Sequence, residues 1–536
     1  MSSGTAFPEP AAAPGVPPAS PLARALGFFS GTVGLVIKLV FLAAANAVGL
    51  WAAGVLLADG NWLAGSIVVL ATLAIDVVYL VPWKGSIPLK FLVPGTVFLI
   101  GFQVIPIISN VNVGFTNWST GHNLTHSEAI AAIEENSLTP PPDGATYTST
   151  PAKRDGQLNL LLVDESTGKA YAGSTDGLVP LAAADVTIEN GTVTAAEGYE
   201  LVTGDELLTL DQQLGELLIP TSGSAFIRPE GLSQAVELQP TLRYVPAKDE
   251  FVDIESGVVY KDNGKGSYVS ASGAVLEPGW RTYIGFQNFE TIFTNPLVRD
   301  PFLRVFVWTF VYAGLSVFLT FALGLFLAIV LNKPDLRLQR LQRSLLVIPY
   351  AIPAYLSILV WAGLLNDDFG VVNNLLGVHI PWLFDPTWAK VSCILVNLWL
   401  GFPYFFLVST GALQAIPEEL TEAARVDGAT ARQVFGKITL PLLLVATAPL
   451  LIASFAFNFN NFTGIYLLTG GGPLQADQAV AGSTDILISY TYKLAFQAGK
   501  GSDYGLAAAV SIIIFFLIAT ISALSFWRTK SLENLR

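Results

Sequence analysis

In the string SFAFNFNNF, Ser454, Asn458, Asn460 and Asn461 interrupt a stretch that is otherwise apolar. An amide in such a setting is costly unless it finds a partner. Ser454, Asn458 and Asn461 are spaced i, i+4 and i+7, which on a continuous helix puts all three on one face with Phe457 at its edge. Neutral amides beside an aromatic ring suit a neutral polyhydroxylated ligand such as a sugar: its hydroxyls exchange hydrogen bonds with the amides while its C–H face packs on the ring. No acid or base on the stripe points to an ionic ligand. The competing reading is that the asparagines join helices to one another, as polar side chains in membranes do. Neighbouring strings favour a cavity. LWLGFPYFF holds Gly401 and Pro403, and IPYAIPAY holds Pro349 and Pro353, so three interrupted spans are expected around the stripe.

A second constellation lies between Ile416 and Pro441, in a segment too polar to span a membrane. Pro417 suits a first helical turn, Glu418 and Glu419 favour a helix N-terminus, and Glu422, Ala423 and Ala424 continue a run of helix formers. Gly428 permits a sharp turn. Beyond it Phe435 and Ile438, at i and i+3, predict a second short helix with one apolar face before Pro441 opens the next span. The pattern predicts a compact knob, with an ordinary amphipathic connector as the plain alternative. No phosphate-binding G-x-x-x-x-G-K-[ST] loop occurs, since each Gly-Lys pair (Gly168, Gly264, Gly436, Gly499) is followed by a residue other than Ser or Thr. Nucleotide hydrolysis by such a loop is excluded for this chain.

The elements that must position these groups are membrane helices. Of the 536 residues 52% are hydrophobic and 13% charged, and the mean hydropathy is +0.55. A bilayer core takes about 20 apolar helical residues, and such stretches begin near Leu39, Trp62, Lys90, Val305, Ser344, Trp388, Leu440 and Gly505. Lys38 and Asp76, in the first two, read as end-snorkelling or packing groups rather than a proton relay. The lone Cys393 forms no disulfide within the chain, and the three histidines lack metal-ligand spacing, so no metal or bound cofactor is expected.

Charge sets the topology. Residues 116–297 carry 25 acids and 9 bases, against 16 acids and 19 bases in the rest. Lys84, Lys90, Lys333, Arg337, Arg340, Arg343, Arg425, Arg432, Lys437, Arg528, Lys530 and Arg536 all fall on one side of an eight-span chain whose two termini are cytoplasmic. The acidic insert then lies outside, and nucleic acid is not a partner. The insert opens with a helix-like run, Ser127–Asn136, and continues in short alternating runs such as 157–163 and 184–194, with hairpin signals at Asn190-Gly191 and Asn263-Gly264. The fold class is thus an all-α polytopic membrane protein of eight transmembrane helices, with a mostly β extracytoplasmic domain between helices 3 and 4. Its expected parts are a disordered cytoplasmic tail (1–34), helices 1–3 (35–115), the insert (116–297) and a core of helices 4–8 (298–536) containing the polar segment 416–441.

Letter by letter, EAARVDGATARQVFGKITLP resembles the cytoplasmic signature of bacterial ABC importer permeases, through Glu422, Ala423, Ala424, Asp427, Gly428, Ile438, Leu440 and Pro441. FVWTFVYA, SFAFNFNNF, TDILISYTYKLAF and GLAAA are similar to the MalF family, the larger permease subunits of maltose/maltodextrin importers. The resemblance runs from the third span onward; the first two spans share only its layout. It implies import of maltose or maltodextrin by alternating access, with no bond chemistry on this chain. Substrate contacts would fall on Tyr350, Leu400, Gly401, Tyr404, Ser454, Phe457, Asn458 and Asn461, and ATPase coupling on Glu422, Ala423, Ala424, Asp427 and Gly428. The implied partners are a second permease subunit, an ATPase dimer that holds the ATP and magnesium, and an extracytoplasmic maltose-binding protein docking on the insert. Ala354 departs from the family, which has serine there. Another disaccharide such as trehalose is the alternative substrate; an ion-driven carrier and a receptor without transport are the alternatives from other classes.

Overall fold

A computed structural model describes residues 31–81, 83, 86–221, 223–332, 337–474, 480–497 and 501–533. The expected tail lies outside these residues except for its last four, which already belong to a helix, and Lys84, Lys333 and Arg536 lie outside as well. The chain divides into two compact units between Ile108 and Ser109.

The first unit is built on the helices Gly31–Ala58 and Trp62–Leu80. Both are apolar on every side, and large side chains such as Phe41, Trp51 and Leu70 are exposed, as expected of helices solvated by lipid. A Cβ on Gly49 would meet Thr72, and one on Gly65 would meet Leu57, so small residues set the close approach of the pair. Asp76 accepts a hydrogen bond of 2.8 Å from Asn46 across the two helices, which is the packing role. The third helical run begins at Ser86 and reaches Gly114 through a π-turn at Ile100–Val104.

In the second unit the chain leaves that helix and enters a mostly β domain. The helix His126–Asn136 is fastened by a capping box between Thr125 and Glu128. The main sheet is an antiparallel meander, Thr146–Arg154, Gln157–Asp164, Ala170–Ser174 and Gly177–Pro180, extended on its other side by Gln234–Pro240 and Phe226–Glu230. Asp155 and Gly156, both at positive φ, turn the first hairpin with Arg154 opposite Gln157. The strand Gln157–Asp164 is buried along both faces rather than alternating, because the helix Asp205–Gly215 contributes Leu210 and Leu214 on one side while Val193 covers the other. That helix is not apparent from the alternation in the sequence. A second sheet, Leu242–Val245, Glu250–Asp253, Val259–Asp262 and Tyr268–Ser270, stacks Phe251 and Tyr268 on Ala129 and Ile133. Burial raises the Asp249 carboxyl, but donation from Tyr268 and Tyr244, with His126 alongside, outweighs it and leaves the group below its ordinary range.

The chain returns through the helix Gln287–Thr294, where Asn288 donates to the carbonyls of Gly114 (3.0 Å) and Thr116 (2.8 Å). Asn295 then caps Pro296–Leu331. This helix starts nine residues before the apolar run near Val305, because cap and N1 proline fix its start outside the apolar window. It packs on Pro386–Gln414 with Thr320 against Gly401 and Gly324 against Phe405 and Phe406; a Cβ on Gly324 would lie 2.6 Å from the Phe406 nitrogen. Close helix contact in a membrane is built from such small residues. Among the described residues seven helices are long and apolar enough to cross a membrane. The count becomes eight if the pair Gln339–Ala351 and Ala354–Leu364, bent by 91°, forms one span.

Candidate functional site

The polar stripe sits at a break. The helix through Ser454 ends at Phe459, and Asn461 caps a new helix, Phe462–Thr469, by accepting from the Gly464 amide at 3.0 Å. The expected single helical face through Ser454, Asn458 and Asn461 is therefore corrected. Asn460 and Asn461 leave the helical conformation, because asparagine amides compete with the backbone ladder for hydrogen bonds. The groups still converge, now across a turn.

The two spans read as weakened by proline behave differently. Pro353 has no N–H and disfavours helical Ile352, whose ψ is 134°, so the chain bends by 91° between the helices on either side. By contrast Pro386–Gln414 runs as one helix through Gly401 and Pro403, which corrects the expected interruption there. Gly401 lets Thr320 of the neighbouring helix close in: an added Cβ would stand 2.7 Å from its Cγ2.

These elements enclose a cavity of about 920 Å³. All eight residues carried over by resemblance line it: Tyr350, Leu400, Gly401, Tyr404, Ser454, Phe457, Asn458 and Asn461. Ala354 lines it as well, at the first turn after the bend. The wall is mostly apolar with a few convergent amides, the usual make-up of a small-molecule site. Asn397 lines the cavity too, and the motif reading missed it. Its amide donates to Asn458 Oδ1 at 2.9 Å, and its oxygen accepts from Asn461 at 3.2 Å; Asn461 also donates to Tyr312 at 3.3 Å. Asn458 donates in turn to the Ser454 carbonyl at 2.8 Å. Helix joining and cavity lining are thus properties of the same amides. The signal for Asn397 was present in ILVNLWL, a lone amide within an apolar span, the feature that singled out Asn458.

A buried ion pair stands apart from this cavity. Lys493 donates to Asp485 at 2.7 Å, and the Gly482 amide (2.7 Å) and Ser489 hydroxyl (2.8 Å) complete the carboxylate's partners. With every oxygen satisfied, the pair closes the loop before Leu487–Phe496.

The polar segment after Pro386–Gln414 forms the helix Glu418–Val426, with none of its residues buried. It ends in a Schellman turn: the Ala429 amide bonds to the Ala424 carbonyl (2.9 Å), the Gly428 amide bonds to Arg425 (3.0 Å), and Gly428 has φ +85°. Glu422, Ala423, Asp427 and Gly428 are exposed and Ala424 is half-buried. Leu420 and Val426 are exposed as well, Val426 at 87%. The expected second short helix is not separate. Thr430 and Gln433 form a capping box, and from Ala431 the chain is helical through a π-turn, Phe435–Thr439, into the helix ending at Phe459. Pro441 follows directly on the π-turn, whose wider i→i−5 ladder takes up a residue that lacks an amide hydrogen, so it does not interrupt the run.

Residues 320–532 match the family described as binding-protein-dependent transport system inner membrane component. Residues 97–176 match the N-terminal part of the transmembrane subunit in PBP-dependent ABC transporters. The chain is 36% identical to the maltose/maltodextrin transport system permease protein MalF of Escherichia coli K12, over 82% of this chain and 87% of that one. It is 34% identical to the protein of the same description from Vibrio vulnificus YJ016, over 87% and 89%. Among solved structures, a bacterial ABC transporter involved in import of the acidic polysaccharide alginate is 25% identical, covering 46% of this chain and 84% of that one at a TM-score of 0.41.

Proposed function

Because this chain belongs to the maltose/maltodextrin permease family of binding-protein-dependent ABC importers, we propose that it moves maltose and maltodextrins inward through the cavity between Tyr350 and Asn461. As a member it is a multi-pass inner-membrane transport subunit, and a separate subunit hydrolyses ATP. The observation that carries the substrate reading is the convergence of all eight resemblance-derived residues on one cavity. Asn458, Asn461 and Ser454 would exchange hydrogen bonds with sugar hydroxyls, while Tyr350, Tyr404 and Phe457 would take the C–H faces. The one buried carboxylate considered above, Asp485, is neutralised by Lys493 outside the cavity, which favours a neutral solute over ion-driven transport.

Force would enter through Glu418–Val426. An exposed helix with a locked C-terminal turn transmits displacement, and the exposed Leu420 and Val426 give it apolar anchors for a cleft on an ATPase subunit. ATP and magnesium would be held there, not on this chain. The basic loops around Arg340 and Arg432 support cytoplasmic termini, eight spans and an external β domain that receives the sugar-binding protein. A second permease subunit would complete the pathway. The test is ATP-dependent uptake of radiolabelled maltose into vesicles that carry the complete complex. Uptake only with ATP and binding protein supports the reading, whereas no maltose uptake by an assembled wild-type complex discards the sugar.

A further inference from the structure

The cavity has a neighbour. Phe462 lines both the central cavity and a second one of about 440 Å³. From Phe462 aromatic rings follow one another: Tyr492 at 5.0 Å, Phe496 a further 5.2 Å on, Tyr504 at 6.1 Å from it, and Trp118 at 5.2 Å from Tyr504. They come from separate elements, Trp118 from the root of the β domain, Tyr492 and Phe496 from the helix Leu487–Phe496, and Tyr504 from the start of the last span. The rings are partly exposed, Phe496 at 62%, unlike Tyr312, Phe405 and Phe459, which are fully buried in the helical core. Asn110, Thr491 and Ser511 add amide and hydroxyl groups along the same cavity. Trp118 and Tyr504, which line it, are the chain neighbours of Ser119 and Asp503, whose backbone bridge joins the domain's root to the start of the last helix.

We propose that this ladder is an entry track for an α-glucan chain, holding glucose units beyond those in the central cavity; the inference rests on the sugar-permease reading above. An aromatic face carries negative charge density and the C–H face of a pyranose is weakly positive and apolar, so the two stack without fixing the sugar's rotation. A row of such rings, each touching the next, lets a chain advance one unit at a time at low barrier. Isolated rings in a membrane-interface belt would serve as anchors toward lipid. These rings instead contact one another, border a cavity and end on the wall of the central site.

The test uses the complete complex with its ATPase, second permease and binding protein in vesicles, and compares radiolabelled maltose with maltoheptaose. Tyr492→Ala and Phe496→Leu should each slow maltoheptaose uptake about fivefold, the equivalent of one lost aromatic contact, while maltose uptake stays within about twofold. Tyr492→Phe and Phe496→Trp, which keep the ring, should restore both rates. Equal loss of the two sugars, loss of neither, or a wild type that imports maltose but not maltoheptaose would each overturn the track. A wild type that imports neither sugar would overturn the permease reading on which it rests.

Discussion

The exposed helix Glu418–Val426 and the central cavity differ in how far along the chain their parts are gathered. Glu418–Val426, its Schellman turn and the Thr430 capping box lie within about twenty consecutive residues, and their hydrogen bonds close locally. The cavity draws on four separated stretches, around Thr320, Tyr350, Gly401 and Asn458, and its amides bond across 61 and 64 residues of chain. A local device is robust to changes elsewhere and sensitive at one backbone position. A distributed one should respond to any partner that sets the spacing of its helices.

The largest expected effect breaks the local device. Gly428→Pro cannot adopt φ +85° and removes the amide bonded to Arg425. The cost of about 3 kcal/mol or more corresponds to about a 100-fold loss of ATP-driven maltose uptake, measured in vesicles, with sugar binding by the assembled complex retained. Uptake that persists would show that the knob does not couple. Next is Gly401→Ala, whose added methyl meets Thr320 Cγ2. The amount of assembled complex should fall, and the double variant with Thr320→Ser should regain it, because the obstructing methyl is gone. Lack of rescue would assign Gly401 to substrate contact rather than packing.

Asn397→Ala leaves Asn458 and Asn461 short of a partner each. A raised KM for maltose of about tenfold is expected, from about 1–2 kcal/mol of lost hydrogen bonding; an unchanged KM would separate the amide network from the solute. Ala354→Ser puts a hydroxyl on the cavity wall, and the ratio of maltose to trehalose uptake should shift about two- to fivefold, one hydrogen bond's worth. The smallest effect lies in the external domain. Asp249 is held below its ordinary range in the folded state, so its stabilising contribution is present above the unfolded pKa of about 4 and fades as pH falls through the lower folded value. Asp249→Asn should flatten the acid side of the thermal-unfolding midpoint, and an unchanged profile would mean that His126 and the two tyrosines do not act through this carboxylate.

Much of this was legible in the residues. Among the described residues, hydrophobic runs located the seven helices long and apolar enough to cross a membrane and the bent pair that would make an eighth, since a helix in lipid must be apolar for the length of the bilayer core. Asn190-Gly191 closes a two-residue hairpin between Glu189 and Thr192, and Asn263-Gly264 lies in the longer loop between Asp262 and Tyr268, with Gly191 and Gly264 at positive φ. Misreadings arose where helical continuity was at stake. Pro403 looked like a break and Pro441 like the start of a span, and both lie inside continuous helices, while Asn460 and Asn461 looked helical and are not. A proline breaks a span only where its neighbours cannot supply the missing partner, and that depends on what packs beside it.

By itself the sequence determined the membrane class, the acidic insert and the exposed polar segment around Glu418–Gly428, because each follows from composition or from spacing within one element. Only the tertiary structure decided that Asn397 joins Asn458 to Asn461, that Gly401 serves close packing, and that an aromatic ladder meets the cavity at Phe462. Those relations link residues tens to hundreds of positions apart, and no local periodicity records which helices become neighbours.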